Sequence, residues 1–304
     1  MKSMSRFSIA IHGGAGALDD VANYRSHIHD ILHTLANVAA SGASALDLVE
    51  QAVVQLDDDA LFNAGKGSVL NAKGEVDCDA SIMDGRTLDA GAVAGVQGVK
   101  NPVTLARKVM EESPHVMLIA QGASEFAATL GFSHQPQAYF VTAARKAQLI
   151  EAQKAGKIVL DHSDTEEKKL GTVGAVAIDA DGHLAAATST GGIVNKRFGR
   201  IGDSPLIGAG VFAENGLCAV SATGYGEQFI RTTLAKHIAE SMRHTGCTAA
   251  EAAQVGIDFL VEAVQGLGGV IVVDKDYSIG FAHSTPVILA GSVSDAEPEP
   301  KLFF

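Results

Sequence analysis

The sequence contains no tryptophan, few aromatic residues (5%) and only three cysteines. Cys78, Cys218 and Cys247 are odd in number and lack metal-ligand spacing, which argues against a disulfide framework or a zinc site and favours reduced thiols in the cytoplasm. No run of eighteen apolar residues predicts a membrane-spanning helix, and the apolar run at 9–11 is too short for a signal peptide. Lys/Arg-rich blocks are also missing, and the net charge is −12, so we expect neither a membrane nor a nucleic acid as partner.

Hydrophobic residues make up 47% of the 304 residues, and glycine occurs 33 times. This is enough apolar material for a large core and too much for a disordered chain. From Ala143 to Leu170, by contrast, Lys, Glu, Gln and Asp dominate. We interpret residues 143–171 as a solvated helix and a flexible linker, which stops abruptly at a strand over 172–178.

Apolar periodicity predicts short strands and amphipathic helices along the whole chain. The predicted helices are 23–40, 43–56, one that begins at Pro102 with Asn101 as N-cap, 123–130, 227–243 and 249–264. The predicted strands are 7–11, 81–83, 92–96, 115–120, 172–178, 183–190, 206–212, 218–222, 270–273 and 278–282, with a loose tail at 297–300. Because strands and helices come in blocks, the pattern favours stacked sheets covered by helices.

Residues 172–178 and 183–190 predict a hairpin whose three-residue turn ends at Gly182. In that register Thr172 lies opposite Thr190, with β-carbons about 4.5–5.5 Å apart. A cross-strand threonine pair is usually a structural hydrogen bond, so the register alone assigns no function.

The polar segment that precedes Thr172 suggests a catalytic role for this threonine. A threonine hydroxyl is a weak nucleophile and needs an adjacent base. Cleavage between Gly171 and Thr172 would create an α-amino group with a pKa of about 7.7–8.0 on the residue that carries the hydroxyl. Gly171 also permits the strained backbone that attack on its own carbonyl requires. The sequence therefore favours a threonine nucleophile that self-cleavage generates.

Arg200 and Asp203 lie three residues apart in a glycine-flanked loop. Pairing with each other is the simpler expectation for such spacing. Alternatively, Arg200 binds the carboxylate of an amino acid through its bidentate fork, and Asp203 binds the ammonium group.

Glycine-rich segments follow predicted strands at 12–16 and 223–227. The hydroxyl of Thr223 and the backbone N–H groups beside it are suited to an oxyanion hole. Such turns also bind phosphate, but neither segment carries a P-loop lysine or a complete dinucleotide fingerprint. A nucleotide-binding α/β protein is thus the weaker alternative.

Together these segments resemble the plant-type L-asparaginase/isoaspartyl aminopeptidase family of threonine Ntn hydrolases. The matching segments are IHGGAG at 11–16, LFNAGKG at 61–67, SIMDG at 81–85, GTVGAV at 171–176, TSTGG at 188–192, GRIGDSP at 199–205 and TGYGE at 223–227. They occur in order along the chain, and the combination is far more specific than any single motif.

The resemblance implies an α+β fold, a four-layer αββα sandwich in one domain of residues 1–304. Self-cleavage before Thr172 would give an α subunit (1–171) and a β subunit (172–304), and two cleaved protomers would form a homodimer. Thr172 would be the nucleophile and, through its new amine, the base. The implied activity is hydrolysis of L-asparagine to L-aspartate and ammonia, of β-aspartyl dipeptides, or of both.

The same resemblance gives roles to further residues. Beside Thr172, the implied set is Thr190 tuning the nucleophile, Thr223 and Gly224 holding the oxyanion, Arg200 and Asp203 binding the substrate's carboxylate and ammonium, and Gly226 and Asn63 beside the substrate. No cofactor is expected for catalysis. The family also implies a structural sodium ion, here on the main-chain carbonyls of Leu56, Asp57, Asp59, Phe62, Ala64 and Lys66.

Two other functions stay open within this fold. A glycosylasparaginase-like amidase is the near alternative. Such enzymes usually have Asp before the nucleophile and a secretory leader, whereas here Gly171 precedes Thr172 and no signal peptide is predicted. An unprocessed, non-catalytic relative that binds small ligands is the other.

Overall fold

The computed structural model describes residues 6–17, 21–156 and 171–304. Of the predicted helix and linker at 143–171, residues 157–170 therefore lie outside the described residues. The helices are α1 (Ala22–Ala40), α2 (Ala45–Asp58), α3 (Pro102–Glu112), α4 (Ala120–Thr129), α5 (Gln137–Phe140), α6 (Ala143–Lys154), α7 (Gly226–Thr232), α8 (Leu234–Thr245) and α9 (Ala249–Val264). The strands are β1 (Ser8–Gly16), β2 (Cys78–Asp84), β3 (Ala90–Val96), β4 (Met117–Ile119), β5 (Val173–Ile178), β6 (Leu184–Thr190), β7 (Val211–Glu214), β8 (Cys218–Gly224), β9 (Gly268–Asp274), β10 (Ile279–His283), β11 (Val287–Ser294) and β12 (Lys301–Leu302). Across these ranges, no helix has both the length and the apolar character needed to cross a membrane.

The strands form two sheets that pack face to face. The large sheet has the order β12-β11-β1-β5-β6-β2-β3-β4, and the small sheet has the order β10-β9-β8-β7. Helices α1, α2 and α3 cover the outer face of the large sheet, while α8 and α9 cover the small sheet. The predicted αββα sandwich is confirmed.

Strand β5 shows how this layering orients the side chains. Val173 and Ala175 belong to the core beneath the helices of the large sheet, whereas Val176 belongs to the core between the sheets. Because successive side chains of a strand point to opposite faces, Thr172 and Gly174 lie on the face turned toward the small sheet.

Glycine allows the layers to approach closely at two positions in the large sheet. A Cβ on Gly174 would overlap Ser221 Oγ of β8 and lie 2.6 Å from His12 Nε2 of β1. A Cβ on Gly91 of β3 would overlap the carbonyl oxygen of Ala106 in α3. The neighbouring atoms belong to packed strands and a helix that cannot move aside easily. The distance between the layers therefore depends on glycine, with no side chain, at these two positions.

The C-terminal end of the chain differs from the predicted pattern in two places. Strand β11 was not predicted, although it pairs with β1, and Gly291 interrupts its apolar pattern because Leu32 of α1 packs there. The tail at 297–300 is not loose, since Ser294 and Glu297 exchange backbone hydrogen bonds and β12 then pairs with β11.

Other corrections concern element bounds in the middle of the chain. The predicted helix 227–243 is two helices, because Thr233 adopts a left-handed conformation (φ 46°) between α7 and α8. The predicted strand 206–212 is a series of turns until β7 begins at Val211. Asn101 does precede α3, but its side chain donates to Asp58 Oδ1 (3.0 Å) instead of capping the helix.

We predict that Gly91→Ala lowers the free energy of unfolding by about 1–3 kcal/mol, because the added methyl must push α3 away from β3. The measurement is the midpoint of urea or thermal unfolding. Gly122→Ala is the matched control, since a Cβ added at Gly122 in exposed α4 would meet nothing within 4 Å, and alanine favours the helix by about 0.5–1 kcal/mol. Equal stabilities of the two variants would contradict the close-packing argument.

Candidate active site

The hairpin that carries the predicted nucleophile has the predicted register. Strand β5 pairs with β6 from Val173 opposite Ser189 onward, and Gly182 takes the positive φ angle (77°) that the turn requires. Continued by one residue, this register puts Thr172 opposite Thr190. The turn chemistry at one end of the hairpin therefore fixes which residues meet at the other end.

The Thr172 side chain is buried and its hydroxyl has a partner that the sequence did not reveal. Thr172 Oγ1 lies 2.9 Å from Ser204 Oγ. The Thr190 hydroxyl, expected to tune Thr172, accepts a hydrogen bond from the Gly192 N–H at 2.9 Å. Ser204 follows Asp203 in the loop after β6, so its only signal in the sequence was its place beside a predicted site residue.

The peptide between Gly171 and Thr172 faces the predicted oxyanion groups. A Cβ on Gly171 would overlap Thr223 Oγ1 and lie 3.5 Å from the Gly224 nitrogen. Thr223 is fully buried, and its hydroxyl has no hydrogen-bond partner among the residues that the structure describes. A buried hydroxyl without a partner costs free energy, so its position beside this peptide calls for an acceptor.

The glycine-rich segment at 12–16 is part of strand β1, with a bulge after His12, and is not a turn that leads into a helix. Burial lowers the pKa of His12 to about 3, against an opposing contribution from the Thr172 backbone, so the ring is neutral. Its Nε2 lies 2.8 Å from Ser221 Oγ. Gly14 packs on the predicted cleavage junction, since a Cβ there would lie 2.7 Å from the Gly171 nitrogen. This segment therefore packs against the predicted junction and does not form the strand–helix turn that phosphate binding would use.

Arg200 pairs with Glu227 rather than with Asp203. Arg200 Nε and Nη2 donate to the two carboxylate oxygens of Glu227 at 2.8 and 2.7 Å. Burial works to lower the pKa of Arg200, but the hydrogen bonds and charge of Glu227 raise it overall. The simpler expectation of an Arg200–Asp203 ion pair was wrong. Glu227 was not predicted as the partner, because the two residues are far apart in the sequence and spacing gives no signal of their pairing.

The Asp203 carboxylate is buried and is not fully hydrogen-bonded within the described residues. Its Oδ2 has no hydrogen-bond partner within the described ranges. Burial raises the pKa of Asp203 to about 7, although the Arg200 charge opposes the shift. Gly226 separates the two groups, since a Cβ there would lie 2.8 Å from Asp203 Oδ1 and 2.9 Å from Arg200 Nη2. The space that this glycine leaves open is bordered by a carboxyl group and a guanidinium group.

Asn63 holds the loop after β6 to the loop after α2. Its amide Nδ2 donates to the Gly192 carbonyl (2.8 Å), its Oδ1 accepts from the Val69 N–H (2.9 Å), and its own carbonyl accepts from Gly191 (3.1 Å). These bonds place Asn63 beside the end of β6, where Thr190 lies.

The C-terminal end of α2 and the loop after it contain features that fit a cation. Asp57 Oδ1 accepts from Ser189 Oγ (2.7 Å), but its Oδ2 is buried without a partner in the described part of the chain. Two main-chain carbonyls of the predicted ligand set already accept hydrogen bonds, since Asp57 O accepts from Lys66 N (2.7 Å) and Asp59 O from Phe62 N (3.2 Å). A carbonyl oxygen has two lone pairs, so these oxygens can still ligate, and oxygen donors suit hard cations.

A second acidic cluster has a structural explanation. Asp179, Asp181 and His183 are the one set of His, Cys, Asp or Glu side chains within the described residues whose atoms lie close enough for a shared metal ion. The Asp179 carboxylate already accepts from the backbone N–H groups of Asp181, His183 and Ala45. It therefore closes the hairpin turn and ties it to α2.

The three cysteines are free, with Cys78 and Cys218 buried and Cys247 partly buried.

Comparison with known proteins gives a family match along almost the whole chain. Residues 5–300 match a family model described as asparaginase. The isoaspartyl peptidase of Escherichia coli (strain K12) is 47% identical over 292 residues, which cover 93% of this chain and 91% of that protein. The human isoaspartyl peptidase/L-asparaginase is 48% identical over 275 residues, which cover 88% of this chain and 86% of that protein. The chain belongs to the asparaginase family of hydrolases.

Proposed function

We propose that the chain cleaves itself before Thr172 and then hydrolyses the side-chain amide of L-asparagine and the isopeptide bond of β-aspartyl dipeptides. The observation that carries the proposal is a buried threonine hydroxyl that contacts Ser204, the residue after Asp203, and that follows a glycine lying against Thr223 Oγ1. Thr223 Oγ1 and Asp203 Oδ2 are both buried and lack partners in the described structure. An oxyanion and an ammonium group would satisfy them. The names of the Escherichia coli and human relatives support this choice of substrates.

In self-cleavage, Thr172 Oγ1 attacks the Gly171 carbonyl carbon. The C–N bond breaks as the acyl group moves to oxygen, and the proton of the hydroxyl ends on the nitrogen. Water then hydrolyses the ester, leaving a carboxylate on Gly171 and a free amine on Thr172. Because Thr223 and Gly224 N–H border this peptide, they stabilise the negative oxygen of the tetrahedral intermediate.

In turnover, the new amine takes the proton of the Thr172 hydroxyl, which attacks the amide carbon of the substrate. Thr223 and Gly224 again hold the oxyanion, and ammonia or an amino acid leaves with the proton. Water hydrolyses the acyl-enzyme to release aspartate. Arg200 binds the α-carboxylate and Asp203 the α-ammonium, with Gly226 leaving room between them.

Further features belong to the same proposal. Thr190 tunes the nucleophile, Asn63 positions the loop beside it, and a sodium ion bound to main-chain carbonyls of residues 56–66 stabilises that loop without entering the reaction. Residues 1–171 and 172–304 are the two subunits of the cleaved domain. We propose a homodimer of cleaved protomers in the cytoplasm, where three free thiols persist.

We predict that Thr172→Ala abolishes both self-cleavage and turnover, because the variant has neither hydroxyl nor a new terminal amine. Denaturing mass spectrometry after incubation would show wild-type fragments 1–171 and 172–304 and a single chain for the variant. Thr172→Ser is the matched control and should retain cleavage. An intact wild-type chain with full amidase activity would contradict the mechanism, and an intact inactive one would favour the non-catalytic alternative.

Replacing Arg200 by Ala should raise KM for asparagine about tenfold to a hundredfold, because a charge-assisted hydrogen bond contributes about 1.5–3 kcal/mol. Self-cleavage should persist, since Arg200 contacts Glu227 and not the junction. Steady-state kinetics and mass spectrometry measure the two effects. The double variant with Glu227→Ala controls for the carboxylate left without a partner, and loss of cleavage in both variants would indicate a structural role instead.

The pKa of Asp203, about 7, predicts how KM depends on pH. Below pH 7 the free enzyme protonates Asp203 and loses the carboxylate that binds ammonium, so KM for asparagine should rise by up to about tenfold per pH unit. Bound ammonium keeps Asp203 ionised, so kcat should instead follow the amine of Thr172. Asp203→Asn should show a high KM that no longer varies with pH. A wild-type KM that is constant from pH 8 to about 5.5 would refute this role.

A further inference from the structure

Ser204 contacts the nucleophile, yet no motif gives it a role. It is fully buried, and its hydroxyl oxygen lies 2.9 Å from Thr172 Oγ1. A hydroxyl pair at this distance forms a hydrogen bond in which either oxygen can be the donor.

The backbone of Ser204 is held in place from the large sheet. Its carbonyl accepts from Ser81 Oγ of β2 (2.5 Å) and from Thr188 Oγ1 of β6 (2.8 Å). The turn is closed on its other side by Leu206 N, which donates to the Asp203 carbonyl (2.9 Å). Buried polar networks with every member satisfied are rigid. The backbone of Ser204 is therefore fixed, and its hydroxyl is held within hydrogen-bonding distance of Thr172.

The chemistry selects the direction of the hydrogen bond. In turnover, Thr172 gives its proton to its own amine and cannot at the same time donate to Ser204. Ser204 is then the donor to Thr172 Oγ1. A donor aimed at an oxygen that is losing its proton stabilises the negative charge that develops there.

We propose that Ser204 is a positioning residue for the nucleophile, whose hydroxyl donates to Thr172 Oγ1 and holds it for attack in both self-cleavage and amide hydrolysis. This inference rests on the proposed function of Thr172.

The neighbouring residue gives Ser204 a second consequence for specificity. Asp203 and Ser204 are consecutive, with Cα atoms about 3.8 Å apart, and the same rigid turn carries both. The carboxylate proposed to bind the α-ammonium is thereby set at a fixed distance from the nucleophile. A substrate whose amide carbon is one methylene farther from its α-carbon, such as glutamine, should fit this spacing poorly.

The test compares Ser204→Ala with Ser8→Ala. Ser8 is also buried and donates to a backbone carbonyl, that of Tyr277 (2.8 Å), but it lies at the opposite end of β1 from the junction. For Ser204→Ala we expect self-cleavage and kcat for asparagine to fall about tenfold to a hundredfold, with KM changed by less than about threefold. Ser8→Ala should lose similar stability and keep wild-type rates.

Hydroxyl-retaining and hydroxyl-lacking variants complete the test. Ser204→Thr should recover most of kcat. Ser204→Cys keeps the side-chain volume but has only a weak donor, so it should show the same fall in cleavage and kcat as expected for Ser204→Ala. It also tests the proposal if Ser204→Ala does not fold. Wild-type cleavage and kcat in Ser204→Ala would overturn the proposal, as would a defect confined to KM. A wild-type chain that neither cleaves nor hydrolyses asparagine would instead overturn the function of Thr172 itself.

Discussion

The close contact of the two sheets at the end of strand β5 is the constraint on which the site depends. Gly174 has no side chain, so β8 can approach until Ser221 and His12 meet in the gap. The same approach brings Thr223 and Gly224, at the end of β8, against Gly171. A larger residue at Gly174 would separate the sheets and move Thr223 and Gly224 away from Gly171, because protein interiors adjust poorly to added volume. One contact thus sets both the packing between the layers and the geometry of the atoms proposed to react.

Local chemistry explains why part of this arrangement was predictable. The turn that ends at Gly182 fixes the register of β5 and β6, and a register propagates along a hairpin without further information. The position of Thr172 relative to Thr190 therefore followed from the sequence pattern. The pattern also predicted stacked sheets covered by helices, whereas the four-layer αββα arrangement was implied by the family resemblance. The partners of Thr172 and Arg200 did not. Ser204 reaches Thr172 through a loop whose path depends on hydroxyls of β2 and β6, and sequence spacing carries no record of such a path.

The errors in the secondary structure have the same origin. Gly291 made the pattern of β11 look discontinuous, although the glycine is there to admit Leu32 of α1. Thr233 breaks the helix between α7 and α8, and β-branched residues in that position lower helix propensity only slightly. In both places a tertiary contact or a single backbone conformation decided the outcome against a weak local preference.

The charges around Gly226 favour an amino acid, the proposed ligand, over an ion of either sign. Glu227 already neutralises Arg200, so Arg200 cannot fully compensate Asp203, and burial leaves the pKa of Asp203 near 7. An anion alone would bring a second carboxylate to Arg200 and leave Asp203 without a cation. A cation alone would satisfy Asp203 but gain nothing at Arg200. A zwitterion supplies one charge to each group without changing the net charge of the buried site, so the desolvation that disfavours Asp203 as a free carboxylate becomes selectivity for the ligand that ionises it.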